Sequence, residues 1–315
     1  MHPVYHAGEM EAQRRFDVTD EAEKISDIVS NRISMSVRRI IESQSFFFFS
    51  MAPQNLQPEC HFLSRMHSAS GEAAPLLKVL DTKTLVFPTI SNVDHCEWSR
   101  INKQPQGIGM IFVDFERHLR YRINGQARQP ADLSPFSNEW PHAERFIEVA
   151  VAQSYTNCGA RIANINVNDF AQDSQATPAP AALANLPIQD CISTQLKEFI
   201  ESRSFFFMAT CTRTGECDCS YKGRNPLDEH VVRVMDDRTL VMPDYSGNNM
   251  FNTIGNILSN ARASLLFIDI QKGIMNRING RATVLEDPVE WRKEWPEAKR
   301  LITLQIETTQ WATAA

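Results

Sequence analysis

One feature narrows the possible folds sharply: the chain repeats itself. Residues 78–88 read KVLDTKTLVFP and residues 233–243 read RVMDDRTLVMP, an offset of 155. At the same offset IFVDFERHLRYRINGQA (111–127) matches LFIDIQKGIMNRINGRA (266–282), and EWPHAERFI (139–147) matches EWPEAKRLI (294–302). Upstream, RRIIESQSFFFF (38–49) pairs with KEFIESRSFFFM (197–208) at 159, so the first copy carries four extra residues near 53–77. Blocks held in constant register mean one structural unit used twice. The modules are bounded as 20–167 and 188–315. A linker over 168–187 joins them, in a stretch rich in Ala, Pro, Gln and Asp that lacks a sustained period.

Within each copy, strand signals dominate. The Phe runs, the TLVFP and TLVMP segments, IFVDF and LFIDI, and YRINGQA and NRINGRATV all read as strands. The Phe runs are apolar at successive positions, which suits a strand buried on both faces. Asp-Thr-Lys and Asp-Asp-Arg read as hairpin turns. Residues 20–44 read as a helical lead-in, and 95–104 and 249–259 as short helical crossovers. Each EWP is expected to start a helix, with Trp140 and Trp295 serving packing common to both copies. Six or so short strands with few helices predict a mainly β fold, a β-barrel in each module, rather than a parallel α/β sheet. Two barrels in one chain can replace a homodimer, with further homo-oligomerisation left open.

Composition excludes several roles. Among 315 residues, Lys and Arg number 32 against 38 Asp and Glu, a net charge of −6. That balance argues against a nucleic-acid groove, while leaving room for one local phosphate site. No apolar run is long enough for a bilayer helix, and MHPVYHAGEMEAQRRFDVTD lacks the apolar core of a secretory signal, so a cytoplasmic protein is expected. The seven cysteines are scattered without Cys-x₂-Cys spacing, which reads as reduced thiols and no metal site.

The chemistry-bearing stretch is PDYSGNNMFNTIGNIL (243–258). A strand ends at Pro243 and a helix begins near Asn249. Backbone N–H groups there, with Ser246, Asn248 and Asn249, can receive a phosphate dianion, and Gly247 lets the backbone approach closely. Upstream, CSYKGRNP (219–226) ends another strand with Lys222 and Arg224, both able to add charge-assisted contacts. The same Ser-Gly-Asn-Asn run also reads as an ordinary capped turn before a helix.

SFFFMATCTRTGECDCSYKG, DDRTLVMPDYSGNNMFNTIGNIL, ASLLFIDI and NRINGRATV together resemble the pyridoxamine 5′-phosphate oxidase-like superfamily of FMN-binding split barrels. The resemblance covers about residues 196–306, and 37–158 more loosely. AQSYTNCGARI (152–162) looks like that family's closing strand and tail. The resemblance implies two tandem split barrels packed as an intramolecular pseudo-dimer, with FMN across their interface. Phosphate and ribityl contacts would come from Lys222, Asp244, Ser246, Asn248, Asn249 and Asn256, and Lys222 or Arg224 would stabilise the reduced, anionic flavin. It further implies an FMN-dependent oxidoreductase acting on a small molecule or a reduced nicotinamide. The alternatives are a flavin carrier or sensor without turnover, and a heme-handling split barrel. The Arg-Pro and Trp-containing C-terminal segment of the superfamily's named enzyme is not visible, so synthesis of pyridoxal phosphate is not expected.

The first copy departs from this pattern. At offset 155, Asp244 corresponds to Thr89, Gly247 to Asn92, Asn248 to Val93 and Asn249 to Asp94. An aspartate and no glycine would repel a dianion. Aligned through Ser64 and Ser220, Lys222 corresponds to Met66. The first module is therefore expected to be a structural partner without its own phosphate cradle.

Overall fold

A strand with large side chains on both faces needs two apolar neighbours, and the duplicated chain supplies them. The computed structural model describes residues 4–52, 55–65, 74–89, 104–141, 143, 145–165, 186–270 and 272–313. Three short helices open the chain: α1 (Ala7–Arg15), α2 (Thr19–Ser26) and α3 (Met35–Ser43). The first module then runs β1 (Phe46–Met51), β2 (Glu59–Ser64), β3 (Lys78–Asp81), β4 (Thr84–Thr89), β5 (Gln106–Asp114), β6 (Leu119–Arg128) and β7 (Arg145–Asn157). The second begins with α4 (Thr194–Glu201), β8 (Phe205–Cys211), β9 (Cys217–Gly223), β10 (Arg233–Val234) and β11 (Thr239–Tyr245). It continues with α5 (Asn252–Ser259), β12 (Arg262–Asp269), β13 (Ile274–Leu285) and β14 (Ala298–Thr313).

Each module is one antiparallel seven-stranded sheet, ordered β2-β1-β5-β6-β7-β4-β3 and β10-β11-β14-β13-β12-β8-β9. These are the same order read in opposite directions. The architecture is two tandem split barrels, mainly β with a few short helices. Alternation along β1 sends Phe47 and Phe49 into the first barrel's core and Phe46 and Phe48 against the second module. β8 does the same with Phe206 and Met208 inward, Phe205 and Phe207 outward. Phe48 and Phe207 stack with centroids 3.4 Å apart and planes 13° apart. The seam between modules is therefore a hydrophobic core, in which each buried Phe contributes about 1.5–3 kcal/mol.

Several sequence expectations change. The lead-in is two helices, because Ser34 caps α3 through Val37 N–H and the intervening segment pairs Ser30 with Ser154. The helix expected near Asn249 starts at Asn252. The EWP segments lead into strands β7 and β14, whose alternating apolar positions override the helix expectation. Trp140 and Trp295 are nonetheless equivalent buried anchors, donating to Pro75 O and His230 O. The crossover at 95–103, the linker at 168–185, and Met66, Asn92, Val93 and Asp94 lie outside the described residues. Strand register also corrects one alignment. Phe46 pairs with Ser64 and Phe205 with Gly223, so Ser64 matches Gly223, Ser220 matches His61, and Lys222 matches Leu63. No helix among the described residues is long and apolar enough to cross a membrane.

Candidate functional site

Between the modules lies a cavity of about 340 Å³. Its first wall is β9, where two-residue alternation turns Ser220 and Lys222 to one side. The second wall is the end of β11 and the loop after it, from Asp244 to Phe251. The third comes from the first module: Arg120 and Arg122 on β6, with the tail Asn157 to Arg161. Arg300 on β14 closes one end.

Among the described residues the lining carries five cationic side chains, Arg120, Arg122, Arg161, Lys222 and Arg300, against one carboxylate, Asp244. Asp244 is already engaged. Its Oδ2 accepts from Arg300 Nε at 3.0 Å and Nη2 at 2.8 Å, and its Oδ1 lies 3.6 Å from Lys222 Nζ. Burial pulls the Lys222 ammonium below its ordinary range, with Asp244 opposing that shift. Burial, and then the neighbouring Arg122, bring Arg120 down to about 10. Arg122 is 6% exposed; burial works against its charge, and Asp218, 3.1 Å from its Nε, overrides burial and raises its pKa. Its remaining donors reach Tyr155 Oη, Asn252 Oδ1, Cys219 O and Ser220 Oγ, at 2.8–3.2 Å. Arg161 donates to Ser246 O at 3.0 Å and lies 4.7 Å over the Tyr245 ring. Positive charge therefore exceeds negative charge where water is partly excluded, which favours an anion.

The loop ahead of α5 is unusual. Asn249 has φ 59° and Phe251 φ 61°, both left-handed. Asparagine tolerates this region, but a phenylalanine there costs about 1–2 kcal/mol. Phe251 is the N-cap residue of α5, and no side chain caps that helix. The uncapped first turn, with Asn252 and Thr253, faces the cavity, so its positive end adds to the arginines.

Of the sequence-predicted residues, Lys222, Asp244, Ser246, Gly247, Asn248 and Asn249 line this one cavity. Asn248 bridges the modules, its Nδ2 donating to Asn157 Oδ1 at 2.9 Å. Gly247 is exposed, and a Cβ there would meet open space. Arg224 is absent from the lining. It sits one residue past β9 and its guanidinium donates to the carbonyls of Asp228 and Glu229. Asn256 is also absent: it is 2% exposed on the buried face of α5, donating to Thr210 Oγ1. Sequence reasoning missed Arg120, Arg122, Arg161 and Arg300. The one local signal is the two-residue spacing of Arg120 and Arg122 on a strand whose other face is core, and by itself it does not tell a solvated face from a covered one.

Residues 192–312 match the family described as pyridoxamine 5′-phosphate oxidase. By that match the second module is similar to the pyridoxamine 5′-phosphate oxidase-like split barrels. Solved structures similar to the chain include HupZ from Group A Streptococcus, at 18% identity, covering 38% of this chain and 91% of that one with a TM-score of 0.31. A putative pyridoxamine 5′-phosphate oxidase from Lactobacillus delbrueckii matches at 19% identity, with 38% and 94% coverage and a TM-score of 0.32. HutZ, the heme storage protein from Vibrio cholerae, matches at 12% identity, with 38% and 92% coverage and a TM-score of 0.28. No curated protein matches the chain.

Proposed function

We propose that the inter-module cavity of this split-barrel protein binds FMN and that the protein is an FMN-dependent oxidoreductase acting on a small molecule or a reduced nicotinamide. Members of the superfamily usually bind flavin, while some bind heme or F420. The observation that carries the flavin reading is the convergence of five cations and an uncapped helix start on a cavity with one, already paired, carboxylate. A phosphate dianion suits that donor set, and about 340 Å³ falls in the range of small-molecule sites.

Lys222, the Ser246–Asn249 backbone and the first turn of α5 would hold the phosphate. Asp244 would keep Lys222 and Arg300 in place rather than touch the anion. Arg120 and Arg161, from the other module, would face the rest of the ligand and favour a negatively charged reduced form. Bound flavin would supply two-electron transfer; the chain supplies position, charge and exclusion of water. Among the described residues, none of the lining side chains is His or Met, so a heme reading would draw its axial ligand from Cys158 or a tyrosine there.

The visible spectrum of the purified protein tests this. The expected result is a two-band flavin spectrum with one FMN per chain, bleached by NADH or NADPH. Flavin that resists every reductant would leave a carrier or sensor, a Soret band would replace flavin with heme, and failure to bind added FMN would remove the proposal.

A further inference from the structure

Helix α1 precedes both repeats, yet it reaches the cavity wall built by the second. Gly8 and Gly255 let α1 and α5 meet backbone to backbone: a Cβ on either would collide with main-chain atoms of the other helix. That closeness brings Glu9, 2% exposed, to Asn252, the first residue of α5. Glu9 Oε1 accepts from Asn252 Nδ2 at 2.5 Å, and Glu9 Oε2 accepts from His6 N–H at 2.9 Å. A guanidinium can only donate, so Asn252 must turn its Oδ1 to Arg122, at 2.8 Å, and its amide nitrogen to Glu9. The cavity side of Asn252 is thus fixed from behind. Farther along, Gln13 Nε2 donates to Met250 O, and Phe16 packs on Phe251 with centroids 5.4 Å apart. The Arg300 guanidinium lies against both rings, 4.3 Å from Phe16 and 4.8 Å from Phe251.

We propose that α1 and Phe16 are part of the anion-binding site: Glu9 is a positioning residue that sets Asn252 and, through it, Arg122, while Phe16 positions Arg300. This rests on reading the cavity as an anion site, and extends it to a segment outside both repeats.

A carboxyl in this place has a pH signature. Facing Glu9 are Tyr5 and His6 from its own segment, Arg122 from β6, Tyr155 from β7 and Asp218 from β9. Burial raises Glu9 to about 8, against the lowering donation from His6 N–H. At neutral pH the carboxyl is mostly protonated, and above about 8 it ionises beside the cavity and opposes an anion. Because the folded pKa is raised, its stabilising contribution is complete below the ordinary carboxylate range and is lost as pH rises through about 8.

The experiment titrates FMN and inorganic phosphate into the full chain as wild type, E9Q and E9A, with melting curves from pH 5 to 9.5. At pH 6.5, E9Q should bind within about threefold of wild type and E9A about tenfold or more weaker, the size of one lost hydrogen-bonded link. As pH passes about 8, wild-type affinity should fall more steeply than that of E9Q, which keeps only the shared loss from Lys222. Without ligand, wild type should lose melting temperature relative to E9Q between pH 5 and 9. Should E9A not fold, the E9Q pH profile carries the test. Equal binding by all three proteins, or one shared pH profile for wild type and E9Q, overturns the proposal and leaves the flavin reading standing. Phosphate that stabilises wild type more than E9A, with no FMN bound by either, does the reverse. No response to either ligand overturns both.

Discussion

The two modules meet at two pseudo-equivalent faces, and among the described residues the candidate cavity lies at one of them. On the first, β6 and β7 of module one present Arg120, Arg122, Tyr155 and Asn157 to Ser220 and Lys222 on β9. On the second, the matching register positions of β13 and β14 are Met275, Arg277, Gln310 and Ala312, and those of β2 are His61 and Leu63. One residue is kept at both. Arg122 donates to Cys219 O and lies by Asp218, and Arg277 donates to Cys60 O and lies by Glu59. The shared arginine ties module to module. The extra polarity and charge at the cavity come from the changed neighbours: Arg120 where the twin has Met275, Asn157 where it has Ala312, Lys222 where it has Leu63. His61 adds no compensating cation, since burial, reinforced by Arg277, holds its pKa well below the usual range. The packing is symmetric across the two faces, and the charge is not.

The largest expected effect comes from removing the shared arginine on each side. Arg122→Met strands Asp218, which is 2% exposed, without its counter-ion and should cost about 3–5 kcal/mol in urea unfolding. Arg277→Met leaves a less buried Glu59 (22% side-chain exposure) and should cost about 0.5–1.5 kcal/mol. FMN binding should be lost in the first variant and kept in the second. Equal stability losses with equal binding would mean that the two faces are not specialised.

Next in size is Lys222→Leu, which copies module one. Losing a charge-assisted contact of about 1.5–3 kcal/mol should weaken FMN by roughly 10- to 150-fold. Ligand-free stability should move the other way. The folded pKa of Lys222 is depressed, so its charge penalises the fold at neutral pH and that penalty fades as pH rises toward the unfolded lysine value. K222L should therefore melt at or above wild type at pH 7, with the gap closing at alkaline pH. A variant that loses stability and keeps FMN would assign Lys222 to structure alone.

The doubled barrel was legible because every strand signal occurred twice in register, so chance matches in one copy were checked by the other. The loop from Ser246 to Asn249 was legible for a local reason, a strand end followed by small polar residues. Arg224 and Asn256 were misplaced because sequence does not show where a side chain turns after its strand ends, or which face of α5 looks inward. The arginines were hidden for a different reason. Arg120 and Arg122 look like solvated positions of an alternating strand until the second module covers them, and nothing local to residues 119–128 shows that it will. The same holds for Glu9, buried by a helix contact 243 residues away in sequence from its partner Asn252.

The smallest effect is also the cleanest test of which end of the cavity takes phosphate. Asn249→Asp restores the residue type that module one carries at 94. Aspartate is nearly isosteric with asparagine and accepts the left-handed backbone equally well, so φ 59° and the course of the loop should be preserved. Only charge changes, in a partly wetted loop where one added unit near a dianion is worth about 1–2 kcal/mol, roughly 5- to 30-fold in affinity. Because the opposition is between like charges, it should shrink as salt is raised. Titration of FMN into N249D at low and high ionic strength, with a melting curve to show an unchanged fold, reads both parts. Weaker binding that salt partly restores locates the phosphate by Asn249, whereas unchanged affinity would shift it toward Arg120 and Arg161, on the module-one wall.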